Sequence, residues 1–515
     1  MKEAEKERKY DVVIIGSGLA GLVCGSILCK EGKKICIIEK NEQLGGSLQT
    51  FRRDGVTFDT GVHYIGGLDK GQNLYQFFNY LGIMDRLEIQ RMDTEGFDVV
   101  LFKHDDIEYP YGMGYDNFIR VLTQKFPEER EAIIAYCDEL KRICDSFPLY
   151  NLRKDQFYTD TSIFKRSIKQ FLEELTPNRK LQSVLAGTNL LYAGVGDKTP
   201  LYVHALVLNS YIESSWKCTK GSDQISNLIA KSIRAMGGDI FRKKKVTTIH
   251  IEEGEAQYVL LDDGERIFAD TFISNVNPTK TLEMADTEKF RKAYRSRIQS
   301  LENSISVFVL YATMKPGAVK YQNKNYYYYD EVDVWKCVDY TEETWPYTYA
   351  MFECVPHHQH EYTEAITIMS YMRYDEVKQW ADTFNTTVEQ NDRGTDYDKF
   401  KHAKAEKLLD TIEVKFPDIR KQIQSYYTST PLSYRDYIGS EDGNMYGILK
   451  DFNDPLRSFI SPKTKVPNLL LTGQNVNLHG VLGVTVSAVL TCGMILGKEY
   501  LLEKIVAANA GTDKG

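Results

Sequence analysis

The chain has 515 residues, 42% of them hydrophobic, which is enough for a large protein with two packed lobes. Its net charge of −8 and pI near 5.8 argue against a nucleic-acid partner. The nine cysteines are odd in number and form no C-x-x-C pair, which fits a reducing, cytoplasmic location with thiols serving as small apolar side chains.

The first nine residues, MKEAEKERK, are charged, lack an apolar core and read as a frayed lead-in, with no signal peptide. From Tyr10 the pattern changes. A short apolar run, Val12 to Ile15, ends in Gly16-Ser17-Gly18-Leu19-Ala20-Gly21, helical spacing follows at Leu22, Val23 and Ile27, and a second apolar run, Ile35–Ile38, ends at Glu39. This is a strand, turn, helix, strand unit carrying a dinucleotide fingerprint. Gly16 permits the tight turn, Gly18 lets backbone approach a pyrophosphate, and Gly21 lets helix and strand pack closely. The helix start offers unpaired N–H groups to the phosphates. Glu39 can accept from both ribose hydroxyls and would repel a 2′-phosphate.

Beyond Glu39, Lys40 leads to a second glycine pair in Gly45-Gly46-Ser47, and then to Phe58-Asp59-Thr60-Gly61-Val62-His63-Tyr64. A glycine pair just past the ribose-binding acid lets backbone run along a longer cofactor, which favours FAD over NAD. Pro127 to Arg130 opens a helix with amphipathic spacing through Ile133, Ile134, Leu140 and Ile143. Gly221–Ala235 is a further helix candidate. Strands follow at Lys245–His250 and Tyr258–Leu261, a turn at Asp262–Glu265, and a strand at Ala269–Ser274 that reaches the cofactor.

Residues 286–464 alternate strand-like and helical pieces. Tyr326–Tyr329 would split two and two between the faces of a strand, which suits sheet packing better than a ligand lining. His357-His358-Gln359-His360-Glu361 resembles a metal tract but follows Pro356, and a solvated loop is the expectation. Two basic stretches, Phe164–Leu172 and Phe290–Arg297, mix cationic and apolar residues and are candidates for peripheral contact with a membrane. Asn468 to Thr472 reads as a strand, Gly473-Gln474 opens a polar loop, and Gly480-Val481-Leu482-Gly483-Val484-Thr485 begins a helix. That helix can aim N–H groups at the flavin N1–C2=O edge. Gly480–Gly497 is apolar enough to suggest a membrane span, but four glycines with Thr485, Ser487 and Thr491 point to a buried helix.

At this point the motifs resemble a family: the flavin-dependent carotenoid and retinoid oxidoreductases, comprising bacterial-type phytoene desaturases, carotenoid isomerases and retinol saturases. The resemblance rests on GSGLAGL, EKNEQLGGS, FDTGVHYIG at 58–66, FISNVNP at 272–278, TPLSYRDYIG at 430–439, GNMYGI at 443–448 and LLLTGQNVNLHGVLGVTVSAVLTCG at 469–493. HYIG and NLHG are most similar to the retinol-saturase branch. Trp216 to Ser222 departs from the Tyr-Pro-x-Gly-Gly stretch that many members have before the middle helix.

The resemblance implies an α/β protein with a Rossmann-type, amine-oxidase-like FAD domain (9–105, 216–285 and 465–505) and a discontinuous α+β substrate domain (106–215 and 286–464). It implies non-covalent FAD on Gly16, Gly18, Leu19, Ala20, Gly21, Glu39, Lys40, Gly45, Gly46, Ser47, Gly61, Val62, His63, Val246, Asn275, Gly473, Gln474, Gly483, Val484 and Thr485. The implied activity is oxidoreduction at carbon–carbon double bonds of an apolar isoprenoid or polyene. The retinol-saturase-like motifs favour reduction, with NAD(P)H as a candidate external reductant; desaturation and isomerisation are the alternatives. His63 and His479 are the first candidates for proton donor, followed by Tyr64 and Arg435. An amine oxidase on the same fold and a non-enzymatic polyene carrier are the other readings. The absence of a cysteine in the terminal motif before Cys492 disfavours a cysteinyl flavin link.

Overall fold

A computed structural model describes residues 8–154, 161–356 and 361–510. Two seven-stranded sheets organise them. In the first, the strand Arg8–Ile15 lies parallel to Ile35–Ile38 on one side and to Arg266–Ser274 on the other. Asp239–Phe241 extends one edge in parallel beyond Ile35–Ile38. On the far side, Arg266–Ser274 pairs twice along its length. Its first residues meet Glu255–Leu261 antiparallel, and Phe272–Ser274 meet Leu469–Leu471 in parallel. The antiparallel strand Val246–Glu252 closes the sheet.

Its central parallel strands are buried on both faces, as the apolar runs at Val12–Ile15 and Ile35–Ile38 require, while the antiparallel strands at its edge mix buried and more exposed residues. The helix Leu19–Lys30 buries residues all round because the sheet lies on one side and the helix Gly480–Leu496 on the other. Close packing explains its glycines: a Cβ on Gly21 would sit 2.2 Å from the Gly16 carbonyl oxygen, and one on Gly25 would sit 2.8 Å from Ile37. Each Leu, Ile or Val fully buried here contributes about 1.5–3 kcal/mol. Gly480–Leu496 is indeed a buried helix, and among the described residues no helix is long and apolar enough to cross a membrane.

The second sheet runs, in order, Ile423–Ser429, Ser306–Met314, Ala365–Met372, Thr348–Glu353, Asn325–Tyr329, Asp98–Phe102 and Asp105–Tyr111. All its pairings are antiparallel except Asn325–Tyr329 with Asp98–Phe102. Asp98–Phe102 therefore joins the second sheet, so the first flavin segment, expected to extend to residue 105, gives up its last strand. The reason lies in pairing: every residue from Asp98 to Phe102 is buried between two strands, one of them Asn325–Tyr329. A small sheet of Ile65–Gly66, Ser215–Cys218 and Ile89–Arg91 bridges the chain's early and middle parts.

The tyrosine run behaves as strand geometry demands. Tyr327 and Tyr329 face one layer, bonding Tyr64 and Asn189, while Tyr326 and Tyr328 pack on Phe416 and Tyr349 in the other. The helix Arg130–Asp145 follows a short Pro127–Glu129 turn and buries Ile133, Leu140 and Ile143. His204 is a satisfied core histidine between Tyr136 (2.6 Å) and Tyr192 (2.9 Å). All nine cysteines are free thiols. Residues 357–360 lie outside the described residues, among which no cluster of three or more His, Cys, Asp or Glu could hold a metal ion.

Candidate functional site

A cleft of about 970 Å³ opens where the glycine turn after Arg8–Ile15 meets the loop after Leu469–Leu471. Gly16, Gly18, Leu19 and Ala20 form one wall, Glu39 and Lys40 the next, and Gly45, Gly46 and Ser47 continue it. Gly61, Val62, Val246 and Asn275 complete that side, and Gly473, Gln474 and Val484 face them. At three turns glycine brings backbone to the wall. Gly16, Gly45 and Gly473 hold φ of +92°, +105° and +103°, which side chains disfavour. A Cβ on Gly18 would stand 2.8 Å from the Asn275 amide nitrogen, and one on Gly473 would stand 2.8 Å from its oxygen. Asn275 is thus a wedge between the early and late glycine turns.

Glu39 is buried at the strand end. Its carboxylate accepts from the Ser17 N–H (2.9 Å), the Ser17 hydroxyl (2.6 Å) and the Asn41 N–H (2.8 Å), which fixes its direction. Lys40 donates to the Asp436 carbonyl (2.9 Å), and burial lowers its pKa. The helix Gly480–Leu496 brings its first residues, Gly480, Val481 and Val484, to the cleft.

Some expected contacts fall elsewhere. Gly21 lies behind the turn, where it performs the packing role expected of it. His63 and Gly483 line a neighbouring chamber and are not among the residues lining the cleft. Thr485 is fully buried, its hydroxyl donating to the Val481 carbonyl (2.7 Å), because its place in the second helical turn faces the core. Arg435 reaches the cleft, but its guanidinium is engaged by the carbonyls of Ala381 (2.6 Å) and Thr383 and by Asp436 (2.7 Å).

The chamber opens off the cleft, sharing Gly61, Val62, Met445, Tyr446, Gly480 and Val481 with it. Its lining is mainly apolar and aromatic, from Leu74, Phe147, Leu149, Leu206, Phe352 and Leu490, with a volume of about 150 Å³. Three of the candidate acids meet here: His63, Tyr64 and His479. His63 stacks on Phe352 at 4.5 Å, and its Nε2 is buried with no hydrogen-bond partner. His479 precedes the helix, donates from Nε2 to the Leu191 carbonyl (3.0 Å) and packs on Tyr446. Burial pushes the His63 imidazole down to about 3, helped by Lys217, and His479 down to about 4. At neutral pH both are uncharged, which suits hydrogen bonding and leaves no imidazolium proton to give.

Several site residues escaped the sequence reading. Asn444 lies inside the GNMYGI motif, and its buried Nδ2 has no partner while the residue lines the cleft. Tyr446, in the same motif, lines both spaces. Asp98, fully buried behind Tyr64, gave only a faint signal, a lone acid in the apolar run Phe97–Phe102. Lys217, also buried, donates to the carbonyls of Glu353 (2.9 Å) and Lys324 (3.4 Å).

The residues present fit a flavin. A long cleft walled by glycine backbone, a fixed carboxylate at the second strand's end, an unsatisfied amide donor and a helix start together match an extended, partly anionic cofactor. A cleft so built, with an apolar chamber beside it, defines a flavin-dependent oxidoreductase. The chain belongs to the flavin containing amine oxidoreductase family, which residues 19–390 match. It is 25% identical over 533 residues to the all-trans-retinol 13,14-reductase of Rattus norvegicus, covering 95% of this chain and 86% of the relative. It is 24% identical over 472 residues to the chloroplastic prolycopene isomerase of Daucus carota, covering 86% and 72% respectively. Among solved structures, an oxidoreductase from Methanosarcina mazei shares the fold with a TM-score of 0.63 at 15% identity, covering 93% of this chain and 98% of that one.

Proposed function

We propose that the protein is an FAD-dependent oxidoreductase that saturates a carbon–carbon double bond in an apolar isoprenoid or polyene. The observation that carries this reading is the apolar chamber joined to the flavin cleft through Gly61, Val62 and Tyr446. Its similarity to retinol 13,14-reductase across 95% of the chain supports the substrate class and the direction. At about 150 Å³ the chamber falls below the roughly 300–1,000 Å³ usual for whole ligands, so it suits one segment of a long chain whose reacting bond lies at the mouth.

In this reading Gly16, Gly18, Gly45 and Gly46 hold the pyrophosphate, Glu39 the adenosine ribose, and Val246 the adenine. Asn444 and the first turn of Gly480–Leu496 serve the ring end. Among the described residues no cysteine or histidine lines the cleft, which supports non-covalent attachment. Hydride transfer is the chemistry the bound flavin supplies, with an external donor of the NAD(P)H class restoring it. The chain's own part is to exclude water with Phe147, Leu149 and Leu206, to steady the mouth with His63 on Phe352 and His479 on Tyr446, and to deliver a proton. The flavin lobe comprises the segments up to about residue 97, 216–285 and 465–505; the remainder holds the substrate.

A cytoplasmic enzyme that touches membranes from outside belongs to the same reading. The two basic stretches named above serve it poorly: Phe171, Leu172 and Phe290 pack inward, and Arg295 and Arg297 bond backbone carbonyls. The loop carrying Leu456 (82% exposed) and Phe459 (59% exposed), with Arg457, Lys463 and Lys465, suits the contact better. Co-flotation with anionic vesicles, lost when Leu456 and Phe459 are both replaced by serine, is the expected result.

The test of the activity is anaerobic. Flavin-loaded protein is reduced chemically, a retinoid or short carotenoid is added, and polyene absorbance is followed. Loss of absorbance with one solvent deuteron in the product is expected. Dehydrogenation by oxidised protein, without any reduction, would move the protein to desaturation; a shifted spectrum without net redox change would move it to isomerisation.

A further inference from the structure

We propose that Tyr64 is the proton donor at the chamber wall and that Asp98, behind it, is the reservoir that restores its proton. The proposal rests on the saturating reading above and assigns the acid that the reading requires.

Tyr64 lines the chamber, and its hydroxyl oxygen stands 2.7 Å from Asp98 Oδ2 and 2.7 Å from the Tyr327 hydroxyl. Asp98 is fully buried, and its other oxygen accepts from the Asn325 amide (2.9 Å). Among the described residues no cation pairs with it. Lys217, the buried cation whose field reaches it, spends its ammonium on the carbonyls of Glu353 and Lys324. The titratable groups that face the carboxyl are Tyr64, Tyr111, Tyr211, Tyr327 and Lys217. A carboxyl kept from water without an ion partner holds its proton, and burial pushes Asp98 up to about 7. The neutral acid is therefore populated near pH 7, one hydrogen bond behind the hydroxyl of a tyrosine that lines the chamber. The two chamber histidines, held neutral, lack that supply.

The step balances. The π pair of the double bond would form a C–H bond to the Tyr64 hydroxyl proton, and the neighbouring carbon would take a hydride, the equivalent that bound reduced flavin would supply. As the Tyr64 O–H bond breaks, the Asp98 proton passes to the same oxygen, leaving a carboxylate that a solvent proton neutralises before the next turnover. Tyr64 is the catalytic residue; Asp98 acts through it and positions the proton.

Two measurements test this. Infrared spectra of the flavin-loaded protein without substrate should show a carboxylic-acid C=O band that titrates near pH 7, is absent in D98N and shifts in Y64F, where its hydrogen bond is lost. A protein without that band overturns the reservoir whatever the substrate proves to be. In single-turnover reduction of retinol, Y64F should be slower by about 10²–10⁴-fold, the usual worth of a general acid. Wild-type turnover should fall as pH rises through about 7, and D98N should be slow with that limb gone. Unchanged single-turnover rates in Y64F, or a D98N profile that keeps the limb, overturns the donor assignment. A wild type that reduces no polyene while the Asp98 band titrates as stated would overturn the saturating reading and the donor with it, leaving a reservoir whose Y64F shift still identifies its partner.

Discussion

The cofactor cleft and the chamber beside it share six residues but are built from different material. In the cleft, glycines at three turns bring backbone to the wall, with Asn275 between the early and late ones, beside side chains such as Lys40, Met284 and Tyr437. The chamber is largely side chain, contributed by segments as far apart as Gly61 and Leu490. The glycine turns suit a ligand that must approach backbone closely, whereas the apolar side-chain lining suits an apolar one. Substitutions should therefore separate flavin binding from turnover according to which space they touch.

The largest expected effect is at Gly18. Gly18→Val places a side chain against Asn275 and closes the phosphate approach, so purified protein should carry almost no flavin, read as bound flavin per chain after denaturation. A variant that kept about one flavin per chain would break the comparison at its base. Next is Glu39→Ala, which should weaken flavin retention by about 2–4 kcal/mol, from charge-assisted hydrogen bonds to the ribose. Titration of the apoprotein with FAD measures it, and an unchanged dissociation constant would mean that Glu39 serves only Ser17 and Asn41.

The third effect separates the spaces by acid sensitivity. His479 is held neutral in the fold, down to about 4, whereas the unfolded chain binds a proton near 6.5. Its contribution to stability is present above pH 6.5 and is lost as pH falls toward 4, at about 1.4 kcal/mol per pH unit. Asp98, raised by burial, runs the opposite way through much of the same range, losing its contribution as pH rises toward 7, so the comparison must be made variant against wild type. Urea unfolding of His479→Gln at pH 7 and pH 5 should show a smaller loss than wild type, by about one proton's slope; parallel slopes would place that imidazole in contact with water. The smallest effect is steric. Val207→Trp narrows the chamber and should slow polyene turnover about tenfold with flavin content unchanged, at an overpacking cost to stability of roughly 1–3 kcal/mol. Flavin loss in that variant would show that the two spaces are not separable.

The same contrast explains what could be read without coordinates. Gly16, Gly18, Gly45, Gly46 and Gly473 were legible because only glycine tolerates those turns and approaches, and Glu39 because a strand ending in acid has a fixed geometric meaning. Val246, Asn275 and Gln474 followed from resemblance and do line the cleft. Thr485 misled because motif membership says nothing of which way a residue in a helical turn faces. The strand Asp98–Phe102 misled because sequence proximity favoured the first lobe, while its partner Asn325–Tyr329 lies far along the chain. The contacts of the Asp98–Tyr64–Tyr327 chain could not be read, although Asp98 itself stood out faintly as a lone acid in an apolar run. The chain's other members are 34 and 263 positions from Tyr64, and no local pattern marks a contact made across layers.

The double pairing of Arg266–Ser274 carries a consequence for biosynthesis. Phe272–Ser274 keeps an open edge until Leu469–Leu471 arrives beside it, and Asn275 cannot be clamped before Gly473 has been made. All seven strands of the second sheet precede Leu469–Leu471 in the chain, so they are synthesised while the first sheet still lacks its last strand and has an unpaired edge at Phe272–Ser274. Flavin, which needs both glycine turns, enters as a late step of maturation, and its supply decides how long that edge stays loosely held.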